Sequence, residues 1–171
     1  MPVRPEEPGD IEGVRDVVAR AFGSDAEPAL VDELRANGAV SLALVDVDAS
    51  GAVRGHVLFS PVTFEPAREA LRGAVALAPM AVSPEAQRSG VGTRLVRRAL
   101  ALLSERGCPA VVVLGHPEYY PRFGFAPARR FGLRCRWSDG DAFMALELAP
   151  GALAGGPPAL VRYRPEFDRF G

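Results

Sequence analysis

The run Gln87-Arg88-Ser89-Gly90-Val91-Gly92-Thr93 is the part of this chain best suited to hold a ligand. It follows the apolar segment Ala74 to Val82 and the turn letters Ser83-Pro84-Glu85-Ala86. An amphipathic segment comes after it, so the order reads strand, turn, glycine loop, helix. A helix that opens on Gly90 and Gly92 presents backbone N–H groups and the positive end of its dipole, and the missing β-carbons let a phosphate come close. These letters predict a pyrophosphate holder. A P-loop would need a lysine, and all twenty basic residues of the chain are arginine. The same absence removes Schiff-base chemistry through lysine. A dinucleotide fingerprint needs a third glycine, which Gly90-Val91-Gly92-Thr93-Arg94-Leu95 lacks.

A second block, Gly115-His116-Pro117-Glu118-Tyr119-Tyr120-Pro121-Arg122-Phe123-Gly124-Phe125, concentrates aromatic rings around groups that can move protons. By composition alone Tyr120 is a core aromatic beside Tyr119 and Phe123. Its phenol, with an ordinary pKa of about 10, can also act as a proton donor at neutral pH. Pro79, inside an apolar strand, cannot donate to a ladder and implies a local break in pairing.

Met80-Ala81-Val82-Ser83-Pro84 followed by Gln87-Arg88-Ser89-Gly90-Val91-Gly92 resembles the acyl-CoA signature of the GNAT N-acetyltransferases. Tyr120, four residues before Gly124-Phe125, stands where that family carries a tyrosine, and the closing Val161 to Phe167 is similar to the YhbS-like branch of bacterial acetyltransferases. The resemblance implies a single domain over residues 1–171 with the mixed α/β (α+β type) GNAT fold, a central splayed sheet flanked by helices. It implies acetyl-CoA as co-substrate, no metal, and transfer of an acetyl group to a primary amine by direct attack. Met80, Ala81 and Val82 would bind the pantetheine arm through backbone, in the gap where the strand at Ala74–Val82 splays from that at Ala110–Leu114. Gln87, Arg88, Ser89, Gly90, Val91, Gly92 and Thr93 would hold the pyrophosphate. Tyr120 would be the general acid, and His116, Glu65 and Glu118 are the candidates for a base or substrate contact. Glycine and histidine stand at 115 and 116, near where many relatives carry a CoA-contacting asparagine. The acceptor, a small molecule or a peptide amine, would be chosen by variable loops such as Phe22–Glu27 and Ala126–Arg130. A fold-retaining acyl-CoA sensor without turnover is the alternative from another class.

The elements that must place these residues are legible in outline. Asp10 as N-cap, then Ile11, Val14, Val17, Val18, Ala21 and Phe22, predict a helix stopped by Gly23. A second helix is expected from Glu27 to Ala36, with Asn37-Gly38 as its stop. Val40–Val47 and Val53–Val62 read as strands around the turn Asp48-Ala49-Ser50-Gly51, and Glu65 to Gly73 as a loop. In the helix after the glycine loop, Leu95, Val96, Ala99, Leu100, Leu102 and Leu103 should face the core and Arg94, Arg97 and Arg98 water. Ala110–Leu114 should be a strand parallel to Ala74–Val82, and Glu118–Phe123 a helical turn or two. Gly132–Trp137 and Ala142–Leu148 read as strands joined by the hairpin letters Ser138-Asp139-Gly140-Asp141. Arg129, Arg130, Arg134 and Arg136 form either a solvated strand face or a basic lip.

At 171 residues with 48% hydrophobic and 24% charged residues, the composition is that of an ordinary globular chain. A formal net charge of −1 gives no global footprint for nucleic acid, and no apolar run is long enough to span a membrane. With no apolar leader, the expectation is a cytoplasmic monomer or homodimer. Cys108 and Cys135, with His56 and His116, are not at metal-ligand spacing and read as packed side chains.

Overall fold

The computed structural model describes residues 2–138 and 140–171. The fold is mixed α/β. The strands are β1 (Val3–Pro5), β2 (Leu42–Val47), β3 (Val53–Pro61), β4 (Thr63–Glu65), β5 (Val75–Val82), β6 (Ala110–Leu114), β7 (Ala126–Pro127), β8 (Leu133–Arg134), β9 (Phe143–Glu147) and β10 (Ala159–Arg162). The α-helices are α1 (Ile11–Phe22), α2 (Ala26–Ala36) and α3 (Val91–Glu105). Seven strands form one sheet in the order β1-β2-β3-β5-β6-β9-β7, and three form a second in the order β4-β10-β8. The chain divides into two compact units, residues 1–59 with 78–101 and residues 60–77 with 102–171.

In the first unit α1 forms where the 3.6-residue spacing of Val14, Val17 and Val18 buries one stripe, and Gly23 stops it at φ 64°, a left-handed turn that glycine enters without penalty. Asp10 precedes the helix as expected, but its carboxylate is spent on Arg4 at 2.7 Å and on the Glu7 amide at 2.7 Å. The β2–β3 hairpin runs from Leu42↔Phe59 to Val47↔Val53, with a register shift at Asp46/Val47. Its turn is held by Asp48, whose Oδ1 accepts from the Ser50 and Ala52 amides at 2.8 and 3.0 Å.

In the second unit β6 pairs in parallel with the first residues of β5, Val75↔Val111 to Leu77↔Val113, and antiparallel with β9, Ala110↔Glu147 to Leu114↔Phe143. The β5–β6 register ends at Leu77, two residues before Pro79. The core of this unit gathers Leu71, Ala76, Val112, Leu133, Phe143, Leu153 and Val161. Three expectations are corrected here. Ser138–Asp141 does not close a hairpin: β8 pairs in parallel with β10, Ala159↔Leu133, while β9 lies in the other sheet against β6 and β7. Asp139 itself lies outside the described residues. The Glu65–Gly73 stretch is not all loop, since Glu65 ends β4, paired with Leu160, and Glu69–Leu71 form a 3-10 turn. Arg129 and Arg130 sit on a further 3-10 turn, Ala128–Phe131, rather than on a strand face.

Candidate functional site

The glycine loop is built by the first unit. Arg88 at φ 63° and Gly90 at φ 88° take left-handed turns on either side of Ser89, whose hydroxyl donates to the Ala86 carbonyl. Gln87 Nε2 donates to the Val82 carbonyl at 3.2 Å, tying the loop to the end of β5. Arg94 N is bonded to the Gly90 carbonyl at 3.0 Å, so the amides of Val91 and Gly92 precede the first closed turn of α3. Gln87, Arg88, Ser89 and Gly90 are all exposed. This is an exposed run of backbone at the positive end of a 15-residue helix, where an anion is favoured.

Two features that fix this loop do not show in the local sequence. Gly55 on β3 makes room for the start of α3: a β-carbon there would stand 2.5 Å from Val91 Cγ1 and 3.0 Å from Leu95 Cδ1. Asp46, fully buried on β2, receives Arg54 Nε at 2.6 Å and Arg94 Nη2 at 3.1 Å. A buried carboxylate with two guanidinium partners is a fixed anchor, because its charge is compensated only while it stays paired. It holds Arg94 beside the loop, with Nη1 3.6 Å from where a β-carbon on Gly90 would lie. The cluster of one carboxylate and two guanidiniums adds positive charge to the helix terminus.

The second half of β5 changes character at Pro79. Val75, Ala76 and Leu77 are buried, whereas from Ala78 onward burial alternates: Ala78, Met80 and Val82 are half-buried, Pro79 and Ala81 buried. Met80 and Val82 therefore share the open face of the strand that ends at the glycine loop.

Tyr120 belongs to the second unit. It begins a 3-10 turn, Tyr120–Phe123, closed by Gly124 at φ 100°, so the helical segment expected here is a single tight turn. The ring meets Tyr119 edge-on at 5.1 Å and Phe125 at 5.6 Å. It is 6% exposed, and burial, with a smaller contribution from Tyr119, pushes its phenol up to about 12. The group is a neutral donor throughout the physiological range. Gly115 is the reason the ring fits, since any β-carbon at that position would overlap Tyr120 Cε2.

His116 and Glu118 immediately precede the Tyr120 turn: the His116 carbonyl accepts from the Tyr119 amide at 3.0 Å, and both side chains are exposed. Glu65 is placed in the second sheet, where Arg162 Nε donates to it at 2.7 Å. Burial pushes both cysteine thiols up, which disfavours a thiolate nucleophile at either. Among the described residues no group of His, Cys, Asp and Glu is arranged to hold a metal, and no helix is long and apolar enough to cross a membrane.

Known proteins show which family the chain resembles. Residues 11–125 match the model of the acetyltransferase (GNAT) family. The chain is 43% identical over 171 residues to the Escherichia coli strain K12 protein described as an uncharacterized N-acetyltransferase, YhbS, covering 99% of this chain and 100% of that one. The crystal structure of Escherichia coli YhbS in complex with CoA superposes with a TM-score of 0.90 at 42% identity, over 99% of this chain and 92% of that one. A GNAT family acetyltransferase from Brucella melitensis, solved in complex with acetyl-CoA, gives 0.79 at 34% identity over 97% of each chain. With the glycine loop, its helix and the seven-stranded sheet in place, the chain belongs to the GNAT family of acetyltransferases.

Proposed function

We propose that this protein transfers an acetyl group from acetyl-CoA to a primary amine on a small molecule or peptide. The observation that carries the reading is the anion-ready opening of α3, with Gly90 in a left-handed turn and Arg94 tethered beside it by Asp46. The YhbS and Brucella structures, solved with CoA and acetyl-CoA, support the same ligand. The loop amides from Gln87 to Thr93 hold the pyrophosphate, and the backbone of Met80 to Val82 holds the pantetheine arm and meets the developing oxyanion.

The amine attacks the thioester carbon directly: a C–N bond forms, the C–S bond breaks, and the leaving thiolate takes the phenolic proton of Tyr120. The proton lost by the amine passes to water or to a base. His116 and Glu118 suit that role better than Glu65, because they immediately precede Tyr120 in the chain while Glu65 is ion-paired with Arg162. The raised cysteine thiols support direct attack over an acetyl-enzyme intermediate.

Thermal unfolding with and without ligand tests the binding step. Acetyl-CoA at a hundred times its dissociation constant should add about 2.7 kcal/mol of stability, and NAD none. Amines and peptide N-termini supplied with acetyl-CoA should release free CoA thiol. Binding without release of thiol for any amine would leave an acyl-CoA sensor; binding of NAD and not of CoA would end the reading.

A further inference from the structure

Arg68 is 8% exposed and carries a guanidinium with no carboxylate partner among the described residues. Its Nε donates to the Pro157 carbonyl at 3.0 Å and its Nη2 to the Phe131 carbonyl at 2.8 Å, while Nη1 is buried with no hydrogen-bond partner among the described residues. Burying a cation is costly unless an opposite charge compensates it, and carbonyl dipoles do so only in part. The backbone is shaped around this side chain. A β-carbon on Gly156 would stand 2.9 Å from Arg68 Nε and one on Gly132 3.5 Å from Nη2, and both glycines have left-handed φ, 86° and 73°.

Arg68 also lines a cavity of about 440 Å³ with Arg130, Phe131, Gly155 and Leu153. Arg130 is exposed and has no ion-pair partner among the described residues. Gly155 and Gly156 follow one another at φ 71° and 86°. Glu147 is the one acidic residue of the lining, and its carboxylate already accepts from the Gly151 amide at 3.0 Å and the Leu153 amide at 3.2 Å. Two arginines against one engaged carboxylate leave the cavity one negative charge short.

We infer that this cavity is a binding site for a small organic anion, a single carboxylate or phosphate on an apolar body, held by Arg68 and Arg130 with the body against Phe131 and Leu153. It is separate from the Tyr120 turn. On the β6–β9 ladder Glu147 pairs with Ala110, whereas Phe143 pairs with Leu114 next to Gly115, so the two lie at opposite ends, roughly 13 Å apart by strand rise. Arg68 already ties the Phe131 turn to the Gly156 segment, so an anion held there bears on both.

Calorimetric titration of benzoate and of phenyl phosphate into the full-length protein, preloaded with CoA so that the glycine loop is occupied, tests the site. One of the two anions should bind at a single site and benzyl alcohol should not, which distinguishes a carboxylate pocket from a phosphate pocket and both from apolar adsorption. Arg130→Gln, an exposed change that leaves the fold intact, should weaken binding by at least about tenfold, and Arg68→Lys likewise. No binding of either anion, equal binding of benzyl alcohol, or unchanged binding by Arg130→Gln overturns the inference. Failure of CoA to bind in the preloading step counts against the acetyltransferase reading alone, and the titration is then run without it.

Discussion

The ring of Tyr120 occupies the space that a side chain on Gly115 would need, with Cδ2 3.1 Å from the position of a β-carbon there. Gly115→Ala therefore pushes the phenol away from its seat without altering its chemistry. Turnover should fall by about 10- to 100-fold while the affinity for acetyl-CoA holds, because misplacement of a reacting group is felt in the chemical step. Steady-state kinetics with a separate binding measurement checks this, and parent-like turnover would show that the ring's position does not matter.

Tyr120→Phe keeps the ring and its contacts with Tyr119 and Phe125 and deletes only the donor. Turnover should drop by roughly 10²–10⁴ with binding intact. Since burial pushes the phenol up to about 12, the donor form is lost only as pH rises through that value. The rate of the parent enzyme should accordingly show no decline assignable to Tyr120 between pH 7 and about 10. Activity of the Phe variant within a few-fold of the parent assigns the proton to water.

Removing the guanidinium at 94 should affect only ligands that carry the pyrophosphate. Arg94→Gln is expected to weaken CoA by about tenfold and to leave S-acetylpantetheine unchanged. Equal loss for both ligands would mean that Arg94 supports the helix rather than the phosphate.

His56 and Glu6 predict how stability responds to acid. His56 is completely buried on β3 with Nε2 3.2 Å from Glu6 Oε1, and burial holds the imidazole below its ordinary 6.5 although the carboxylate pulls the other way. Burial alone would raise Glu6, but the close contact with His56 and hydrogen bonds from Arg35 outweigh it and hold the carboxyl at about 2. Both folded-state values are depressed, so the unfolded chain takes up each proton first. Stability should decline as pH drops below 6.5, by up to about 1.4 kcal/mol per pH unit from His56, and decline further below 4.5 from Glu6. Melting temperatures of His56→Gln measured from pH 8 to 4 should lose the first decline and keep the second; an identical profile would show that another group titrates.

How much the letters disclosed depended on whether the information was local. The stop of α1 at Gly23, the start of α3 after Gly90 and the parallel pairing of β5 with β6 all follow from short-range spacing or from the need to bury a crossover helix. The second sheet does not. Its strands β4 and β8 have three and two residues, too few for a period, and β8 finds its partner β10 some 25 residues away, which is why Ser138–Asp141 resembled a hairpin. The anchor of the glycine loop was equally hidden, because Asp46 meets Arg54 and Arg94 only once the hairpin and the helix are both in place. A charged residue amid the apolar letters of β2 was the single trace it left.

The approach of α3 to Gly55 makes the glycine loop and the core share one allotment of volume. Val91 lies within the loop and also fills the space above Gly55, so bulk gained at 55 must be surrendered at 91 or the loop is displaced. Divergent chains of this fold should therefore exchange size between these two positions in compensating pairs. A lone enlargement at 55 would displace the loop, although residue 55 lies outside it.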